Sequence, residues 1–178
     1  SGNNVIVGNG NIVNASNGVE NTIFGSRNKI SAASNTTALS QIAILGNDVV
    51  VNGTQSVGIG SNVTINGPAA VAIGGDDLDE ASKLNTNGTV GGAAVNSGNI
   101  ATKYQSYTGK PMVDNSSNSK QYPRTTSGTA AVALGVQAQA TGALSTAVGT
   151  SSRATGLAAT AFGVGADASA DNSVALGS

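Results

Sequence analysis

The 178-residue sequence has no cysteine, no histidine and no tryptophan, and aromatic residues make up only 3% of it. Without cysteine there are no disulfides and no thiolate chemistry; without histidine the commonest general base and the commonest neutral metal ligand are missing. Most hydrolase and transition-metal mechanisms are excluded on that ground, and no cofactor is expected. Large rings cannot fill the interior, so Ala, Val, Ile and Leu must. Charge is sparse and balanced, eight basic against nine acidic residues, which leaves no field for steering nucleic acid or an anionic membrane. No apolar run is long enough to span a bilayer, and no leader opens the sequence. A targeting segment is expected outside this stretch, and direct membrane insertion by it is not.

What is abundant is glycine, 25 residues, and it is periodic. A short apolar segment ending in Gly recurs as VAIG at 71–74, VALG at 132–135, TAVG at 146–149, TAFG at 160–163 and VALG at 174–177. Glycines 46, 60 and 74 are fourteen residues apart, and so are glycines 135, 149, 163 and 177. A second glycine follows seven residues later at Gly53, Gly67, Gly142 and Gly156, with Ala170 in its place in the last unit. Such a short, exact repeat is the signature of a solenoid.

Each unit reads strand, turn, strand, turn. In the second half, positions three and five after the main glycine hold Val49 with Val51, Val63 with Ile65, Ala138 with Ala140, Ser152 with Ala154 and Ala166 with Ala168. The intervening Asn62, Thr64, Gln137, Gln139, Asp167 and Ser169 have the opposite parity, so this strand has one wet face. The first half is apolar on both faces. Its large column, one before the glycine (Ile59, Ile73, Leu134, Val148, Phe162, Leu176), is expected to point inward together with the column three before it, Thr146 and Thr160 included. Its small column, Gly58, Ala72, Ala133, Ala147, Ala161 and Ala175, is then expected to face outward and to be covered by another chain, which makes it the expected trimer interface. The Asn-Gly pairs at 52 and 66 and the Thr-Gly pairs at 141 and 155 are expected to form turns with positive φ.

Residues 1–45 hold two looser coils around Gly8 and Gly25, with the excess absorbed by loops at 14–18 and 32–37. Residues 46–74 are regular, the rhythm is lost over 75–127, and it returns over 128–178. One domain, 1–178, with one insertion follows. The insertion carries five of the eight basic residues and all three tyrosines. Function commonly rides on excursions from a rigid scaffold, so Lys103, Tyr104, Tyr107, Lys110, Lys120, Tyr122 and Arg124 are the candidate ligand-binding residues, with pinning of the loop to the roll as the competing role. The acidic run Asp76–Glu80 lacks calcium-loop spacing and reads as the start of a short helix at about 77–84, with acids near its N-terminus and Lys83 near its C-terminus. No metal site is expected.

The units SVGIGSNVTINGPAAVAIG, TAAVALGVQAQATGALSTAVG and SSRATGLAATAFG resemble the head repeats of trimeric autotransporter adhesins, the YadA-like group with its ubiquitous-surface-protein-type heads. Roughly two thirds of the chain takes part. The resemblance implies an all-β, left-handed parallel β-roll, assembled as a homotrimer with two identical chains. It also implies a bacterial cell-surface location, projected from the outer membrane by a stalk that lies outside this sequence. The implied role is non-enzymatic: attachment to host matrix proteins such as fibronectin, laminin or collagen, or to host cell receptors. A passive spacer in a surface fibre is the alternative. A hexapeptide acyltransferase has the wrong period, and Thr146 and Thr160 share a face with Val132 and Val174, so they are expected to line the core instead of forming an ice-binding face.

Overall fold

The computed structural model describes residues 2–14, 18–32, 38–83, 85–90, 93–113 and 122–178. The chain climbs as a parallel β-solenoid whose coils each lay one strand in each of two sheets. The first sheet has nine strands, from Val5–Val7 and Thr22–Ser26 at one end to Thr160–Phe162 and Val174–Leu176 at the other. The second has eight, from Ile12–Asn14 to Asp167–Ala168. Every neighbouring pair within these two sheets is parallel. The looser coils at Gly8 and Gly25 join in the same register: Val7 pairs with Phe24, and Phe24 with Leu45.

The second half of each coil faces as its alternation requires, except at Gln137, expected on the wet face but 6% exposed where it bonds Asp76 O. Val49, Val51, Val63, Ile65, Ala138, Ala140, Ser152, Ala154, Ala166 and Ala168 are all buried.

The first half has the phase opposite to that expected. Ile23, Ile44, Gly58, Ala72, Ala133, Ala147 and Ala161 form the inward column, with Ala175 packed against it at the end of the roll. Ala72 and Ala147 are 0% exposed, whereas Leu45 and Phe162 are each 57% exposed. The small column is therefore the roll's own interior, not a surface for a sister chain. The large column points out, and Thr146 and Thr160 lie on that outer face, half-buried. The reason is the width of the roll. A Cβ added to Gly58 would sit 2.8 Å from Val49 Cγ1 and 3.5 Å from Ile65 Cδ1, so the opposing strand already fills the space between the sheets.

The turns differ too. Gly53, Gly67, Gly142 and Gly156 lie outside the positive-φ region; residues two further on, Gln55, Ala69, Leu144 and Ala158, adopt it instead. The second glycine serves close stacking: a Cβ on Gly142 would lie 2.0 Å from the Gly156 carbonyl oxygen.

In the looser coils the corners are held by asparagines. The amide Nδ2 of Asn28 donates to Gly46 O at 2.7 Å, while its Oδ1 accepts from Val49 N at 3.0 Å. Asn21 likewise donates to Leu39 O at 2.9 Å and accepts from Ile42 N at 3.1 Å. Each buried side chain closes two backbone groups that the longer coils would otherwise leave open.

The insertion leaves the roll after Gly75 and returns at Thr125. Thr125–Ser127 is a full member of the second sheet, pairing with Val63–Ile65 on one side and Gln139–Ala140 on the other. The excursion therefore ends before 127. It is a folded unit, not only a loop: a helix α1 at Asp79–Lys83, an antiparallel hairpin of Asn85–Val90 with Ala93–Asn99, and a second helix α2 at Ile100–Thr108. In α1, Asp79 and Glu80 sit in the first turn and Lys83 in the last, with Asp77 Oδ1 accepting from Asp79 N at 2.7 Å, as a capping carboxylate does.

Thr125 closes the stem. Its fully buried hydroxyl lies 2.8 Å from Gly75 O, 2.7 Å from Gly135 O and 3.1 Å from Gly75 N. Two residues on, the buried Ser127 Oγ has no hydrogen-bond partner among the described residues. Ser145 and Ser152, by contrast, each donate to the carbonyl of the glycine three residues before them. Opposite substitutions should therefore move stability in opposite directions. Thr125→Val is expected to lower it by about 2 kcal/mol, because stem groups lose a buried partner, and Ser127→Ala to raise it by about 1 kcal/mol. Thermal unfolding of the two variants at equal concentration checks both.

Candidate functional site

Two surfaces stand out from this scaffold. The first is the outward large column. Val7, Phe24, Leu45, Ile59, Ile73, Leu134, Val148, Phe162 and Leu176 are stacked in unbroken register, one per coil. The register runs straight across the insertion, from Ile73 to Leu134. Ile59, Leu134 and Val148 are half-buried, and the other six are exposed. An apolar ladder as long as the molecule is far more contiguous than the scattered apolar residues of an ordinary surface.

The second surface is made where the insertion lies against the roll. Leu78 of the α1 approach, Tyr104 of α2 and Met112 form a small core, with Ile100, Ala101 and Val113 packed around it and Val136 contributed by the roll. Tyr104 is 7% exposed, so it anchors the insertion as well as lining its edges. On one side of α2, Lys103, Tyr104, Tyr107 and Met112 face Thr150 and Val164 across an apolar cleft of about 220 Å³. On the other side, Tyr104, Lys110, Pro111, Met112 and Pro123 face the outer side of the second sheet across a cleft of about 330 Å³. Its floor is Gln137, Gln139, Ser151 and Arg153.

Lys103, Tyr104, Tyr107 and Lys110 are thus brought together, and the other candidates are not. The Tyr122 hydroxyl donates to Asp79 Oδ2 at 3.0 Å, which ties the returning chain to α1. Arg124 reaches the Asp48 carbonyl at 3.5 Å, on a different part of the roll. There Arg27 holds the Asp48 carboxylate through Nε at 2.9 Å and Nη2 at 2.6 Å. That hydrogen bonding, more than the charge of Arg27 or Arg124, keeps the Asp48 carboxyl below its ordinary range. Lys120 lies outside the described residues. Arg153, which the sequence reading did not single out, had one signal: it is the only basic residue in 128–178, on a face of otherwise neutral and acidic side chains.

Two stretches, 127–152 and 154–178, match the YadA head domain repeat. These C-terminal coils are YadA head repeats. The matched repeats span the four C-terminal glycine units, and their coils continue in register into the looser N-terminal ones. Comparison with the curated proteins and with solved structures finds no match. The matched repeats are of the kind found in surface adhesin heads.

Proposed function

We propose that the head assembles as a homotrimer on its apolar ladder and serves as an adhesive tip at the bacterial surface. Through the surface carried by the insertion it attaches to host matrix proteins such as fibronectin, laminin or collagen, or to cell-surface glycoproteins. The observation that carries the reading is the contrast between scaffold and excursion. The ladder passes from Ile73 to Leu134 without a break, while the described residues between Asp76 and Thr125 fold into a unit whose small core meets the roll at Val136. A spacer gains nothing from such a unit; a binding head does, because the roll holds it rigidly away from the stacking axis.

The register supplies a clean deletion. Joining Asp76 directly to Thr125 restores the spacing Gly60-Ser61-Asn62-Val63 of the preceding coil, since Thr125 pairs with Val63. The shortened head is expected to keep its fold and, by light scattering, its number of chains per assembly, and to lose attachment to a panel of matrix proteins and cells. Undiminished attachment by the shortened head would move the binding surface from the insertion to the roll, and no attachment by the intact head would leave only the spacer role.

A further inference from the structure

Resting on the reading of the chain as an adhesive head, we propose that the cleft between the insertion and the second sheet binds an acidic sugar. This would be a glycan unit bearing a carboxylate, taken by Arg153, with the Tyr104 hydroxyl and the Gln139 amide serving the sugar hydroxyls.

The charge comes first. Gln139, Arg153 and Asp167 are stacked in register on the outer face of three successive coils. Arg153 Nη1 and Lys110 Nζ each lie 3.6 Å from the same oxygen, Oδ2 of Asp167. Both separations exceed a hydrogen bond, so one carboxylate balances two cations at arm's length and the guanidinium keeps its paired donors. The cluster carries one surplus positive charge, and the Arg153 side chain is 46% exposed. A planar guanidinium with free donors is the side chain best shaped for a bidentate carboxylate.

The wall above it supplies the second observation. Tyr104 is more than nine-tenths buried, its ring packed with Leu78 and Met112. It lines the cleft, yet its hydroxyl makes no hydrogen bond with the described residues. Unlike Ser127 Oγ, this hydroxyl is not sealed from the cleft, so it is available to a ligand. Gln137 is not: its Nε2 donates to Asp76 O at 2.7 Å and its Oε1 accepts from Ser151 Oγ at 3.0 Å, which fixes the floor.

Among the described residues, the remaining lining is Pro111, Met112, Pro123 and Gly165, which carry no polar side chain. A sugar ring presents both hydroxyls and a C–H face, and a cleft of about 330 Å³ is of small-ligand size.

The test titrates the intact head, followed by saturation-transfer NMR, with a tetrasaccharide alternating glucuronate and N-acetylglucosamine, and with the same sugar after reduction of its carboxylates. The carboxylated sugar is expected to bind. Carboxyl reduction and Arg153→Gln should each weaken binding about tenfold or more, as for loss of a charged hydrogen-bonded pair. Tyr104→Phe, which keeps the packed ring, should weaken it about threefold to tenfold with unchanged melting. No contact, contact that survives carboxyl reduction or Arg153→Gln, or displacement by an acidic peptide at equal concentration would each overturn the site. If the sugar fails while deletion of the insertion still abolishes attachment, the acidic-sugar site falls and the adhesive reading stands.

Discussion

Gly60→Ala is expected to destabilise the roll by about 3–5 kcal/mol. Gly60 has φ +128°, a conformation essentially restricted to glycine and costing an alanine about 1–3 kcal/mol. Its position adds a collision: an alanine Cβ would lie 1.8 Å from the Gly74 carbonyl oxygen of the next coil. That oxygen is backbone locked into the stack, so relief requires the coils to part, with an overpacking cost of about 1–3 kcal/mol more. Two controls separate the causes. Gly58→Ala meets mainly a movable side chain, Val49 Cγ1 at 2.8 Å, and has ordinary φ; it should cost under about 1.5 kcal/mol. Gly109→Ala, at φ +69° with nothing within 4 Å, carries only the backbone cost, about 1–2 kcal/mol, confined to the end of α2. Urea unfolding at one protein concentration measures all three, since association would otherwise shift the midpoints. A Gly60→Ala midpoint equal to that of Gly58→Ala would refute the stacking argument.

Much of this architecture was written in the glycine spacing. Period, two-strand coils, the inward face of the second strand and the presence of an excursion all follow from residues at fixed distances from Gly46, Gly60, Gly74, Gly135, Gly149, Gly163 and Gly177. The phase of the first strand did not follow, and the reason is physical. When both faces of a strand are apolar, the two-residue period leaves two answers, and side-chain size chooses wrongly in a roll this thin. The deciding quantity is the volume across the roll. Val49, Val51 and Ile65 already occupy the space facing Gly58, so the large side chains can only go outside. Within the insertion, the short acidic helix was legible from its charges, whereas the hairpin and α2 were not, because their polar residues carry no apolar period. The cleft escaped for a different reason: half of it comes from the roll. Gln139 and Arg153 occupy ordinary wet positions of a repeat, and only the return of the insertion over them makes a site.

The inverted phase changes which residues should hold sister chains together, and that yields the second large effect. In the head carrying Leu45→Asp and Phe162→Asp, the coils should remain folded while the assembly separates into single chains. Both side chains are 57% exposed in one chain, so the carboxylates stay solvated when the chain is alone and cost the roll little. In a trimer built on the ladder each would be buried. Losing about 2 kcal/mol of apolar burial at each of two sites, repeated in three chains, removes on the order of 10 kcal/mol of association energy, before any charge desolvation is counted. At about 1.4 kcal/mol per tenfold, no ordinary working concentration restores the complex. Light scattering should report one-third of the parental mass, with the far-ultraviolet circular dichroism of a β-roll retained. Ala147→Asp is the counterpart. Its side chain faces the interior at 0% exposure, where an unpaired carboxylate has neither water nor a partner, so this chain should fail to fold at any concentration. Retention of the parental mass by the doubly charged ladder would place the contact between chains elsewhere. A folded, associated Ala147→Asp head would contradict the inward phase itself.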